Sequence, residues 1–123
     1  MKVYKGKRLG EGELDTGSDV VVTVSKDGGI DKHLAHHVYH SPTGFSWGYG
    51  SSGPADLARS ILWDLFGKEP PRPLYMRFKD KFVSAWKVSW EMTSKEITEW
   101  ITKEYNKNYC NHLMSTDLSD PRD

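Results

Sequence analysis

Four glycines, Gly44, Gly48, Gly50 and Gly53, alternate with Phe45, Trp47 and Tyr49, and Ser51-Ser52 stand just ahead of Gly53-Pro54. Glycine lets the chain take positive φ where bulkier residues resist it. A glycine-rich loop that feeds a helix N-terminus collects unpaired backbone N–H groups beside a partial positive charge, which is the physical basis of an anion or phosphate site. Here Phe45, Trp47 and Tyr49 offer ring faces on which a base could stack. Gly50 and Gly53 offer backbone N–H groups, Ser51 and Ser52 add hydroxyl donors, and Arg59 or Arg77 would supply charge. These nine residues are the expected ligand-binding set, for a small phosphorylated or nucleotide-like molecule. The run is neither a Walker loop nor a GxGxxG fingerprint, because no lysine follows the glycines and no clear parallel-sheet strand precedes them. Asp56, in the first turn of the helix, opposes an anion. The same residues would equally make a tight, aromatic-stapled turn that positions the helix.

Imidazoles are the second group with chemistry to offer. His33, His36, His37 and His40 would share one face of a helix, but on a strand His36 and His40 point one way and His33 and His37 the other. Val38, Tyr39 and the proline after Ser41 favour a strand that ends at Pro42, since a residue before proline avoids the helical region. Two imidazoles on a face are too few for a closed zinc site without help from elsewhere, so no metal is expected. No nucleophile elbow, paired carboxylates or H-E-x-x-H stand out, and no catalytic residue is assigned. A small hydrolase using these histidines with Ser46, Ser51 or Ser52 stays as an alternative.

The elements that must hold these residues follow from periodicity. Leu57, Ala58, Ile61, Leu62, Leu65 and Phe66 predict a helix from Pro54 to Phe66, with Pro54 suited to its first position and Gly67 to its end. Gly67 to Pro73 reads as a stiff proline-rich connector. Tyr75, Phe78, Phe82, Val83 and Trp86 predict one helix over 74–87. Between Lys68 and Lys87 six basic residues face only Glu69 and Asp80, a solvated face that could also rim an anion or meet an acidic partner. Val88–Met92 is a linker or short strand. Thr93-Ser94-Lys95-Glu96 matches a capping box, and a helix follows over 94–106.

Ahead of the glycine run, Met1–Leu9 reads as a short edge strand because of its lysines. Glu11–Ser18 reads as a surface loop. Asp19–Ser25, followed by Lys26-Asp27-Gly28-Gly29, reads as a strand and hairpin turn from which a second strand returns at Ile30. The expected fold class is α+β, a small antiparallel sheet from the N-terminal third packed against about three helices. Residues 1–112 would form one domain and 113–123 a flexible tail.

Composition narrows the function classes. In 123 residues Lys+Arg and Asp+Glu number 17 each, so the formal net charge is zero and no basic field argues for a nucleic-acid partner. Cys110 is the lone cysteine and cannot form an internal disulfide. No apolar run approaches the ~20 residues of a membrane helix, and the N-terminus lacks the apolar core of a signal peptide. A cytoplasmic protein with no membrane partner and no cofactor is expected.

The run SPTGFSWGYGSSGPADLARSIL over Ser41–Leu62, with FKDKFVSAW and TSKEITEWI further on, resembles a family of small domains of unknown function from bacteriophages and mobile elements. The hallmark of that family is SPxGFxWGYxGSGPADLAxxIL. Ser51 departs from it, standing where a glycine is expected. The resemblance implies an accessory protein of a phage or integrated element, acting in the host cell cytoplasm, and transfers no catalytic residues. Joined to the loop chemistry, it implies a non-enzymatic protein that binds a small phosphorylated or nucleotide-like ligand and blunts a host defence. The alternative is a protein–protein inhibitor that covers a host enzyme with the same aromatics.

Overall fold

The computed structural model describes residues 1–9, 20–41 and 44–115. The loop expected over 11–18 lies outside the described residues, as do 116–123, most of the expected tail. Strand β1 (Lys2–Arg8) pairs antiparallel with β2 (Val20–Lys26) on one side and with β4 (Ser89–Thr93) on the other, and β3 (Lys32–His33) extends β2. The resulting order is β3-β2-β1-β4. Helices α1 (Ser52–Phe66), α2 (Arg72–Lys81), α3 (Ser94–Glu104) and α4 (Lys107–Met114) complete an α+β fold.

β1 is therefore an internal strand, not an edge. Its alternation explains why the lysines do not prevent this. Tyr4 and Gly6 are buried while Lys5 and Lys7 are exposed on the open face of the sheet. Lys2 Nζ reaches the Asp64 carboxylate at 3.0 Å, and the Tyr4 hydroxyl donates to the same carboxylate at 2.8 Å, which ties β1 to α1. Burial and the Asp64 charge push the Tyr4 hydroxyl far above the ordinary tyrosine range. Gly6 lies opposite Trp90, and a Cβ there would fall 2.2 Å from the indole nitrogen, so only glycine lets Trp90 lie across the strand.

Helix α1 is the centre of the core, with Leu57, Ala58, Ile61 and Leu62 fully buried. The helix expected over 74–87 is interrupted: α2 ends at Lys81, and a single 3-10 turn, Val83–Ala85, follows. It also begins earlier than expected, at Arg72, with Pro73 in a first turn where no N–H is needed. The aromatic stripe still reaches the core, Phe78 meeting Trp100 edge-on at 5.7 Å and Trp86 stacking on Trp90 at 3.8 Å. Thr93 and Glu96 close a capping box at the start of α3. α4 is an element that periodicity missed. It is only eight residues long and starts where the polar Asn106-Lys107-Asn108 breaks the pattern, with Asn106 as its cap. Its last turn includes Leu113 and Met114, both expected in the tail, and Leu113 is buried.

Candidate functional site

The glycine loop turns most of its aromatic surface inward. Trp47 is completely buried, its indole N–H donates to the Lys87 carbonyl, and its ring meets Trp90 at 86°. The Arg8 guanidinium lies 4.9 Å from the Trp47 ring and bonds the Trp47 carbonyl at 2.6 Å. The expectation that Trp47 stacks on a ligand is therefore corrected, because both of its faces are covered by protein. Phe45 is half-buried and packs against His36, 4.4 Å between ring centroids. Gly53 is buried with Ser46 and the Tyr49 hydroxyl around it, and a Cβ there would come within 2.8 Å of Ser46. Gly48, at φ +88°, donates its N–H to the Val83 carbonyl at 3.0 Å.

Tyr49, Gly50, Ser51 and Ser52 remain exposed. Ser51 is the N-cap residue of α1, yet its side chain makes no capping hydrogen bond. Arg77 is not part of this group. It lies on α2 with its guanidinium 5.6 Å from the Tyr105 ring and lines a separate hollow with Asp80, Trp100 and Glu104. A further hollow of about 660 Å³ lies on the open face of the sheet, lined by Lys5, Lys7, Thr23, Ser89 and Glu91 among others, and none of the expected site residues reaches it.

The segment 34–41, expected to be a strand, is instead an irregular strap laid over α1, and Asp56 is the reason. Its fully buried carboxylate accepts the N–H groups of three consecutive residues: Tyr39 at 3.2 Å, His40 at 2.8 Å and Ser41 at 2.9 Å. The His36 ring nitrogen Nε2 bonds the same carboxylate at 2.8 Å. The Leu34 N–H still bonds the Val22 carbonyl at 3.0 Å, but the amides of 39–41 are spent on the carboxylate and cannot pair in a sheet ladder. Burial alone would push the Asp56 carboxyl up, but the His36 ring and the three amides outweigh it and hold it below the ordinary carboxylate range. His37 donates its N–H to the Ser60 hydroxyl at 3.0 Å and stacks its ring on Trp63 at 3.9 Å.

Arg59 braces the strap from below. Its guanidinium bonds the His37 carbonyl at 2.7 Å, lies between the Tyr39 and Trp63 rings at 5.2 and 4.7 Å, and reaches Glu69 at 3.5 Å. The expected ligand contact is thus a side chain 8 % exposed and already committed. The four histidines go to separate partners: His36 to Asp56, His37 to Trp63, His40 to the Tyr75 hydroxyl at 2.8 Å, and His33 to solvent on β3. No three His, Cys, Asp or Glu side chains among the described residues gather as metal ligands.

Both ends of the strap, Leu34 and Ser41, are buried, while Val38 and Tyr39 at its middle are 55 % and 62 % exposed. Sequence reasoning had Asp56 in view only as a charge in the first turn of a helix. Its place four residues into α1 and fifteen beyond Ser41 gave no local signal for the bonds it makes.

The model of a family of unknown function, DUF6166, matches residues 4–103. The chain belongs to this family. The DUF6166 span takes in the strap, the glycine loop, α1, α2 and all of α3 but its last residue, and α4 lies beyond it. Comparison with curated proteins and with solved structures finds no match. No helix among the described residues is long and apolar enough to cross a membrane.

Proposed function

We propose that this protein is a non-enzymatic accessory protein of a phage or mobile element that acts in the host cytoplasm by covering a host protein, with the middle of the strap as its anchor. One observation carries this reading. Asp56, Ser60 and Arg59 hold the backbone of residues 37–41, while Val38 and Tyr39 stand out from it into solvent. An aromatic side chain offered on a backbone already held in one conformation loses little freedom when a partner docks. Tyrosine is also among the residue types that carry most of the energy of protein interfaces.

The test is a photo-crosslinking amino acid placed at Tyr39 and, separately, at Tyr49, in cells of the host. One host protein trapped from position 39 alone, whose purified form binds the wild-type chain and fails to bind a folded Tyr39→Ala chain, is the expected result. Equal and diffuse labelling from both positions would sink the proposal.

The small-ligand reading keeps one supporting observation, the uncapped start of α1 with Ser51, Ser52 and Tyr49 exposed around it. A thermal-shift screen of nucleotides and cyclic dinucleotides tests it, since a ligand that binds only the native state raises the melting temperature by mass action. A shift abolished by Tyr49→Ala would move the proposal to this loop.

A further inference from the structure

The edge of the His40–Tyr75 pair gathers three cations from two helices, α1 and α2. Arg72, the first residue of α2, is exposed with its guanidinium 5.8 Å from the Tyr39 ring, and no carboxylate pairs with it among the described residues. Arg59 approaches from α1, and Lys79 lies two turns along α2 from Arg72. The His40 ring sits between Tyr39, 4.8 Å away, and Tyr75, 5.8 Å away. Its Nε2 shares a hydrogen bond with the Tyr75 hydroxyl, and its Nδ1 makes no bond among the described residues. With the tyrosine hydroxyl donating to Nε2, a neutral imidazole carries its one proton on Nδ1 and offers it as a donor.

The acidic groups nearby are already used. Asp56 is buried under its four donors, Glu69 faces Arg59, and Asp80 faces Lys79 at 3.3 Å. Of the charged groups around His40, Arg72 is the one left without an acidic partner. Burial, with Arg72, Arg59 and Lys79, holds the His40 imidazole below the ordinary histidine range, against the pull of Asp56. Burial likewise pushes up the Tyr75 hydroxyl, against Arg72 and Arg59. Burial, Arg59 and His36 keep His37 low as well. An incoming anion would relieve the repulsion at His40.

We propose that Arg72 and His40, beside Tyr39, form a binding site for a phosphate group, with the guanidinium fork taking two oxygens and the imidazole donating to a third. A planar guanidinium suits this task better than an ammonium. The site does not depend on the host-protein contact proposed above, because the phosphate can belong to a free ion, a nucleotide or a phosphorylated side chain.

The experiment is a histidine-resolved NMR titration of the full chain with inorganic phosphate at pH 7.5, ionic strength being held constant with chloride. His40 is expected to shift saturably while His33 and His112 do not, and Arg72→Gln is expected to weaken binding roughly tenfold. Lys95→Gln, an exposed charge on α3, is expected to leave it unchanged. In sulfate, which keeps its charge across the range, the His40 titration midpoint is expected to rise. Adenosine monophosphate and a phosphotyrosine peptide form separate arms, and the one that outbinds free phosphate identifies the source. Shifts that follow ionic strength alone, or equal affinity in an Arg72→Gln chain whose amide spectrum is otherwise native, would overturn the proposal.

Discussion

The strap over 34–41 and the glycine loop over 44–53 flank the first turns of α1, and each is the reverse of what its residue types suggest. The loop, rich in glycine and aromatics, turns its largest ring into the core and fixes its carbonyl and its indole N–H to protein partners. The strap carries no glycine, yet it forms the concave run of backbone N–H groups that an anion seeks. The anion it holds is the protein's own Asp56. A phosphate-site recipe was present in this chain, but it is filled from within, and what reaches solvent is the pair of side chains on its outer surface.

Substitutions separate the two regions, beginning with the largest effect. Trp47→Ala is expected to destabilise by about 3–5 kcal/mol through lost burial and the cavity left beside Trp90. Asp56→Ala follows at roughly 2–4 kcal/mol, since three amides and the His36 ring lose their acceptor at once. Chemical denaturation measures both. Hydrogen exchange then distinguishes them, because Asp56→Ala should expose the amides of 39–41 well ahead of global opening while Trp47→Ala should not. A loss under ~1 kcal/mol for Asp56→Ala would mean that something else holds the strap.

Acid offers a graded way to loosen the strap without substitution. The Asp56 pKa is depressed in the folded protein, so its contribution is complete above the ordinary carboxylate pKa of about 4 and is lost as pH falls through the lower folded value. His37 and His40 are also depressed, but for histidine this means that the unfolded chain takes up protons first. Stability should therefore begin to fall as pH drops below about 6.5. Two steps are expected in the urea midpoint, and Asp56→Asn should remove the lower one. A wild-type midpoint that stays level from pH 7 to pH 4 would contradict the histidine part.

Much of the fold was legible because it rests on local periodicity. The α1 stripe, the capping box at Thr93 and the β2 hairpin turn each depend on residues within a few positions of one another, and each appears where expected. The site was less legible because its decisive contacts join residues 15 to 40 positions apart: Ser41 to Asp56, His37 to Ser60, Trp47 to Lys87. Side-chain type identified Trp47 and Tyr49 as large aromatics, but not which of them would fill the space beneath Trp90. Likewise the β-branched and aromatic character of Val38-Tyr39 suggested a strand, and only a carboxylate arriving from α1 makes those residues a projecting turn.

Backbone substitutions give a smaller, sharper contrast inside the glycine loop. Gly48 combines φ +88° with the Trp86 carbonyl 3.1 Å from a would-be Cβ, whereas Gly50 has neither constraint and open space around it. Gly48→Ala should cost roughly 1–3 kcal/mol and Gly50→Ala close to nothing, as judged by melting temperature. Equal effects would show that the loop is not anchored at Gly48.

The smallest effects belong to the two exposed tyrosines, and for that reason they discriminate best between function and packing. Tyr49→Ala removes a ring 48 % exposed, and a stability change within about 0.5 kcal/mol is expected. Tyr39→Ala also gives up its ring contacts with Arg59 and Arg72, so about 0.5–1 kcal/mol is expected. Neither change should alter the cooperativity of unfolding, because both rings lie outside the buried cluster around α1. A Tyr39→Ala chain that melts cooperatively within that margin isolates the ring as a recognition element. If instead it loses several kcal/mol, Tyr39 is clamping Arg59 over Trp63, and the strap is a packing device like the loop beside it.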